Sequence, residues 1–194
     1  MHIINRQMVA LVTGLLSTDI PETYYYHNFA HTQNVMRYVE VIGHAENCST
    51  TEIRLLLTAA LWHDTGYINI YKGHEAESCI LAEKHLPVFG YPTAEIKKII
   101  GMIMATKTPQ SPKNRLEQII ADADLAYLGS DDVTLLANNL YRELHELNPL
   151  LTKQMWNTTE INFLQKHQYY THYCKLHTQP GKLRYLKRLL LTRQ

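Results

Sequence analysis

Apolar residues recur at three- and four-residue intervals through almost the whole chain, the spacing of amphipathic helices. Ile4, Met8, Leu11 and Leu15 mark the core stripe of a first helix, which Pro21 in a following loop separates from the next. From His27 to about Glu46, Val35, Tyr38, Val39 and Ile42 form a second apolar face. Ser49 or Thr50 can cap a third helix, with Glu52 placed for the reciprocal bond; it runs through Ile53, Leu56, Leu57, Ala60 and Leu61 to Trp62-His63-Asp64, with Gly66 to end it. Further helices are expected over Gly73 to His85, from a cap at Thr93 to about Ala105, and from Arg115 to Leu128, closed by Gly129. Asp131 to Leu147, Thr158 to about Gln168 and Lys182 to Leu191 complete the series. No stretch alternates as a strand does, and no repeat or linker-like segment interrupts the pattern. The expectation is an all-α, single-domain multi-helix bundle over residues 1–194.

Composition narrows the partners. The 194 residues are 45% hydrophobic and 19% charged, enough to bury a core without staples. Lys+Arg (19) and Asp+Glu (18) balance, so no basic surplus offers itself to a nucleic acid. Cys48, Cys79 and Cys174 form no C-x-x-C pair, which fits a reducing compartment better than a disulfide framework. The apolar run from Met8 to Leu16 is broken by Thr13 and Gly14 and lacks a cleavage site, and no run approaches the ~20 residues that span a bilayer. A cytoplasmic protein with no membrane partner is expected.

Histidine is in excess (11), and three segments give it context. Tyr26-His27-Asn28-Phe29-Ala30-His31 holds two histidines four apart, which a helix would place on one face. Leu61-Trp62-His63-Asp64-Thr65-Gly66 puts a carboxylate at the negative end of an apolar helix, where it needs a compensating cation. Ile119-Ile120-Ala121-Asp122-Ala123-Asp124-Leu125 sets two acids inside an apolar helix; they cannot share a face, and periodicity leaves open which of Asp122 and Asp124 points to a site. Each segment has an ordinary reading as capping, packing or surface residues. Together they supply mixed imidazole and carboxylate ligands suited to Mn, Fe, Zn or, with waters, Mg.

His31, the contiguous His63-Asp64 and a distant Asp resemble the signature of the HD-domain metal-dependent phosphohydrolases, over a motif-bearing core of about residues 24–128 on which the C-terminal helices (131–194) pack. Tyr26-His27-Asn28-x-x-His31 is similar to the Y-H-N-x-x-H motif of cyclic-nucleotide phosphodiesterases, and Ala123-Asp124-Leu125 resembles their A-D-L. The resemblance therefore selects Asp124 over Asp122. It implies a divalent metal on His31, His63, Asp64 and Asp124 that activates a water, with Asp64 reaching toward a second, weakly bound ion. It also implies His27 as the general acid, with Tyr26 and Asn28 orienting that segment. His74, next to Glu75, resembles a His-Glu that contacts phosphate or a second metal in many members, and Lys107 could reach a phosphate; both also read as solvated positions. The segment before Pro109 carries no histidine, which favours one tight metal site. The expected substrate is a small nucleotide-like phosphodiester, although no glutamine clamp for a base can be placed. A nucleoside monophosphate or other phosphomonoester is the runner-up, and a non-catalytic nucleotide-binding sensor the alternative of another class. His145, His167, His172 and His177 read as ordinary polar positions, and the basic C-terminal helix as a docked helix with one solvated face.

Overall fold

The computed structural model describes residues 4–191, and every regular element among them is helical. Ten α-helices follow in order: α1 (Arg6–Thr18), α2 (Phe29–Ala45), α3 (Thr50–Trp62), α4 (His74–His85), α5 (Thr93–Ala105), α6 (Arg115–Asp124), α7 (Val133–Leu147), α8 (Lys153–Lys166), α9 (His172–His177) and α10 (Gln179–Leu191).

The organising element is α3. Every residue from Leu55 to Trp62 is buried, so this helix is enclosed on all sides rather than on one stripe. Its start is fixed by a capping box: Ser49 Oγ accepts from the Glu52 amide, and the Glu52 carboxylate accepts from the Ser49 amide. Helices α2 and α5 pack directly on α3, and α6 closes the ring by lying against α2 and α5. A second, smaller cluster of Leu128, Val133, Ala137, Leu164 and Tyr185 joins α7, α8 and α10.

Several boundaries differ from the sequence expectation, each for a local reason. The stripe of α1 is Met8, Val12 and Leu16, with Leu11 and Leu15 only half-buried. Thr93 is the first residue of α5 and not its cap, which is Pro92. The expected helix from Arg115 to Leu128 stops at Asp124, and residues Ala126–Gly129 form a 3-10 turn. Helix α8 begins at Lys153, capped by Thr152 Oγ1, and the short α9 was not foreseen. Gly66 does not end α3; it lies in a 3-10 turn (Thr65–Ile68) that packs on α4, where a Cβ would sit 2.0 Å from the His74 carbonyl oxygen. Gly129 likewise admits α10, since a Cβ there would meet the Thr178 carbonyl oxygen at 2.3 Å. The C-terminal helix is less simply amphipathic than its sequence suggests, because Lys182 is buried and donates to the His167 carbonyl.

Candidate active site

Three helix termini converge. Asn28, in extended conformation, caps α2: its Oδ1 accepts from the amides of Ala30 (3.0 Å) and His31 (3.4 Å), which fixes His31 in the first turn. His63 is the C-cap of α3, and its Nδ1–H donates to the Ala60 carbonyl at 2.8 Å. That bond occupies Nδ1 and leaves Nε2 as the nitrogen a metal would take once it is deprotonated. Asp64 follows, held by a turn in which Thr65 Oγ1 donates to the Trp62 carbonyl and the Gly66 amide to Ser78 Oγ. Asp124 is the last residue of α6.

His31, His63 and Asp124 each offer one ligand atom within 4.8 Å of the other two, a group that could hold a metal ion. His31 Nε2 lies 3.1 Å from Asp124 Oδ1 and 3.4 Å from Asp64 Oδ2; His63 Nε2 lies 3.7 Å and 3.2 Å from the same atoms. Two observations fit a cation in their midst. The two imidazole Nε2 atoms face each other at 3.3 Å. Asp64 Oδ2 is buried near both rings yet in hydrogen-bond geometry with neither. A buried carboxylate oxygen without a donor is costly, and a divalent ion relieves it. The donor set is two nitrogens and two oxygens, which suits a borderline metal with positions left for substrate and water.

The electrostatics agree. Burial pushes the Asp124 carboxyl up, but His31 and His63 hold it down at about 2. Burial is likewise overcome at Asp64, which the imidazoles of His63, His74 and His31 keep well below the carboxylate range. Burial lowers His63, yet Asp64 and Asp124 carry it well above an ordinary histidine. The metal-free protein therefore keeps a proton on His63 that a metal must displace. Below the raised pKa of His63 the proton competes, so metal affinity is expected to rise about tenfold per pH unit and level off above it. Calorimetric titration of the metal-free protein with zinc across a pH series checks this, and an affinity that falls with rising pH contradicts it.

His27 lies elsewhere than expected. It precedes the cap of α2, so it does not share a helix face with His31; the rings stand edge-on with centroids 5.9 Å apart. Its partner is Glu143 of α7, a buried residue that the sequence reading did not single out. One Glu143 oxygen accepts from the amides of Tyr26 (2.9 Å) and His27 (3.0 Å); the other pairs with His27 Nδ1 and accepts from Tyr71 Oη at 2.9 Å. Burial raises the Glu143 carboxyl, but these donors, His27 foremost, bring it below its usual value. With Nδ1 engaged, Nε2 is the nitrogen available to a ligand. The missed signal was a charge on a core face: Glu143 stands three residues after Leu140 and six after Ala137, which is buried.

A cavity of about 390 Å³ runs from Asp64, Asp124, His27 and His74 into the cleft between α7 and α8. His74 is not solvated: its Nε2 lies 3.3 Å from Asp64 Oδ1, its ring stacks on Tyr67 at 3.8 Å, and Glu75 beside it is buried. Tyr26 is buried against the His31 ring (4.7 Å) and lines the same cavity. Asn28 lies outside it, where its side-chain amide ties α2 to the Tyr24 and Tyr25 carbonyls. Lys107 is exposed and does not line the cavity, contrary to the expectation of a phosphate contact.

Asp122 points the other way. Its carboxylate accepts from the amides of Tyr170 and Thr171 and from Thr171 Oγ1 (2.6 Å), anchoring the segment that leads into α9. It makes no approach to either imidazole among the described residues.

A family model for the HD domain matches residues 28–126, which is just over half of the chain and holds His31, His63, Asp64 and Asp124. The chain belongs to the HD domain family. A crystal structure described as a predicted HD superfamily hydrolase from an uncultured Thermotogales bacterium superposes with a TM-score of 0.65 over 97% of this chain and 92% of that one. Sequence identity is 16%, so this similarity bears on the fold. No curated protein matches significantly. HD-family membership supports metal-dependent phosphohydrolase chemistry in general, and the HD match ends at residue 126, before Glu143 and the whole of α7 and α8.

Proposed function

We propose that this HD-family protein is a metal-dependent phosphohydrolase acting on a small phosphodiester, with His31, His63, Asp64 and Asp124 as metal ligands and His27 as general acid. The observation that carries this reading is the Glu143-held imidazole of His27, which lines the same cavity as Asp64 and Asp124. A divalent metal bound there supplies a Lewis acid for the phosphoryl oxygen and an acidified water as nucleophile.

The protein's own groups supply the rest. Glu143 fixes the His27 ring through Nδ1, which leaves Nε2 as the nitrogen to deliver a proton to the leaving oxygen. The bonds from the Tyr26 and His27 amides to the same carboxylate hold Glu143, and with it the ring, in place. His74, stacked on Tyr67, presents Nε2 between Asp64 and the cavity, placed to donate to a phosphoryl oxygen. Tyr26 and Leu125 line the cavity alongside Asp64 and Asp124.

The choice of diester over monoester rests on charge. Among the described residues that line the cavity none is Lys or Arg, whereas Asp64, Glu75, Asp124 and Glu160 all do. A monoester dianion calls for cationic partners beyond the metal; a diester carries one charge. The metal-loaded protein is expected to hydrolyse bis(p-nitrophenyl) phosphate with kcat/KM at least about tenfold above p-nitrophenyl phosphate, a difference of roughly 1.4 kcal/mol in barrier. The reverse order favours the phosphomonoesterase reading, and hydrolysis of neither removes the phosphohydrolase.

A further inference from the structure

Beside the substrate cavity lies a second one, of about 440 Å³, with the opposite charge character. Thr108, Leu125 and Phe163 line both and so form the wall they share. Carboxylates line the first cavity without a Lys or Arg; the second has Lys166 and, among the described residues, no Asp or Glu. The second cavity is firmly framed. Tyr170 lines it, donates from Oη to the Gln110 carbonyl at 3.0 Å, and has its amide held by Asp122.

Two side chains on this frame each carry a buried polar atom without a partner. Gln110 Nε2 donates to the Ala121 carbonyl at 2.9 Å, and its Oε1 has no donor. His167 Nε2 is the other. The proton on that imidazole is placed by its neighbour. Buried Lys182 sets Nζ 3.3 Å from His167 Nδ1, and an ammonium only donates, so Nδ1 accepts. Burial, and then the charge of Lys182, hold His167 down at about 4, so the ring is neutral and its one proton is on Nε2. The cavity thus carries a donor without an acceptor, an acceptor without a donor, and the exposed ammonium of Lys166 at the end of α8.

Unsatisfied buried groups are costly, so the ligand that fits best is the one that answers all three. A carboxylate would accept from His167 and Lys166 but has nothing to donate to Gln110. A neutral hydroxyl could meet both unpaired atoms and would leave the ammonium without a counter-charge. A phosphate group carrying one proton has oxygens for both donors and an O–H for Gln110 Oε1. We propose that this second cavity binds a phosphate group apart from the metal centre, with Lys166 and His167 Nε2–H on its oxygens and Gln110 Oε1 accepting from its P–OH. That phosphate is either carried on the far end of the substrate, past Phe163, or a separate ion.

The site itself is tested without metal or turnover. Metal-free protein with isotope-labelled histidine is titrated with inorganic phosphate and followed by nuclear magnetic resonance. One neutral imidazole signal, missing in His167→Asn, is expected to shift saturably as its N–H gains an acceptor, while acetate at equal ionic strength leaves it in place. Lys166→Met is expected to weaken the apparent affinity about tenfold or more, the worth of one charge-assisted bond, and Lys166→Arg to keep most of it. Lys166 is exposed, so neither variant threatens the fold. No shift with phosphate, the same shift with acetate, or a phosphate affinity untouched by Lys166→Met overturns the site and leaves these atoms merely hydrated. The source of the phosphate is read from two p-nitrophenyl alkyl phosphodiesters whose chains end in phosphate or in hydroxyl, given to the metal-loaded protein. A KM about tenfold lower for the phosphate-ended ester, lost in Lys166→Met, makes the cavity part of the substrate site. Equal KM values beside a saturable titration assign it to a separate phosphate. If neither ester is hydrolysed, the hydrolase reading fails, and the metal-free titration still decides the cavity.

Discussion

Asp124→Ala is expected to leave a folded, inactive protein, and Asp122→Ala an unstable one. The two acids are a residue apart in an apolar helix, and their surroundings separate them. Asp122 satisfies the part-buried Tyr170 amide, the buried Thr171 amide and the Thr171 hydroxyl, which together pin the segment of chain entering α9. Removing it strands those donors, at a cost of about 3 kcal/mol. For a chain of this size that lowers Tm by roughly 10 °C. Asp124 anchors nothing of the kind: its carboxylate faces the Nε2 atoms of His31 and His63 and the cavity. Its loss should leave Tm of the metal-free protein within a few degrees, yet lower kcat/KM by more than the ~10–100-fold that even residues supporting a metal ligand contribute. Thermal melts of the metal-free variants and turnover of the metal-loaded ones test both halves. An Asp122→Ala protein as stable as wild type would show that the bonds to residues 170 and 171 carry little weight.

The second large effect belongs to His27. With the metal ligands intact, His27→Ala is expected to bind metal as the wild type does and to lose about 10²–10⁴ in kcat, the usual contribution of a positioned acid. The loss should depend on the leaving group. An ester whose leaving alcohol is strongly basic needs the proton; a p-nitrophenolate leaves without much help. Glu143→Gln should share that pattern at smaller amplitude, because glutamine can still accept from the Tyr26 amide but holds the His27 ring less firmly than a carboxylate does. Turnover of alkyl and aryl diesters by both variants distinguishes this from general damage to the cavity, which would depress all substrates alike. Equal losses on both ester classes would assign His27 a packing role against Tyr67, on which it also lies (4.4 Å).

Much of the candidate site was legible before any coordinates because its chemistry violates the helical pattern. His63-Asp64 follows a run from Leu55 to Trp62 in which Thr58 is the sole polar residue, and two aspartates interrupt Ile119–Leu125. Such positions tolerate charge only when something pairs with it. Helix α3 and its capping box were readable for the same reason, since local rules and burial point one way.

What stayed hidden depends on contacts distant in sequence. The pairing of His27 with Glu143 spans 116 residues, and nothing local announces it beyond a charge on the buried face of α7. The break at Asp124 is tertiary as well: Leu125 departs from helical geometry, and its carbonyl instead accepts from Tyr169 Oη. Asn28 holds an extended conformation, so the two histidines that a continuous helix would have aligned lie on either side of its cap. Helix α9 has six residues, too few for periodicity to register, and is fixed by Thr171 at its cap and by Asp122.

The central claim is that a buried Nε2–Nε2 contact and a carboxylate oxygen without a donor mark a metal centre. Elemental analysis of the purified wild type beside Asp64→Ala tests it most directly. At least one equivalent of a divalent transition metal in the wild type, and little in a folded Asp64→Ala, is the predicted result. Equal metal in both proteins would contradict it.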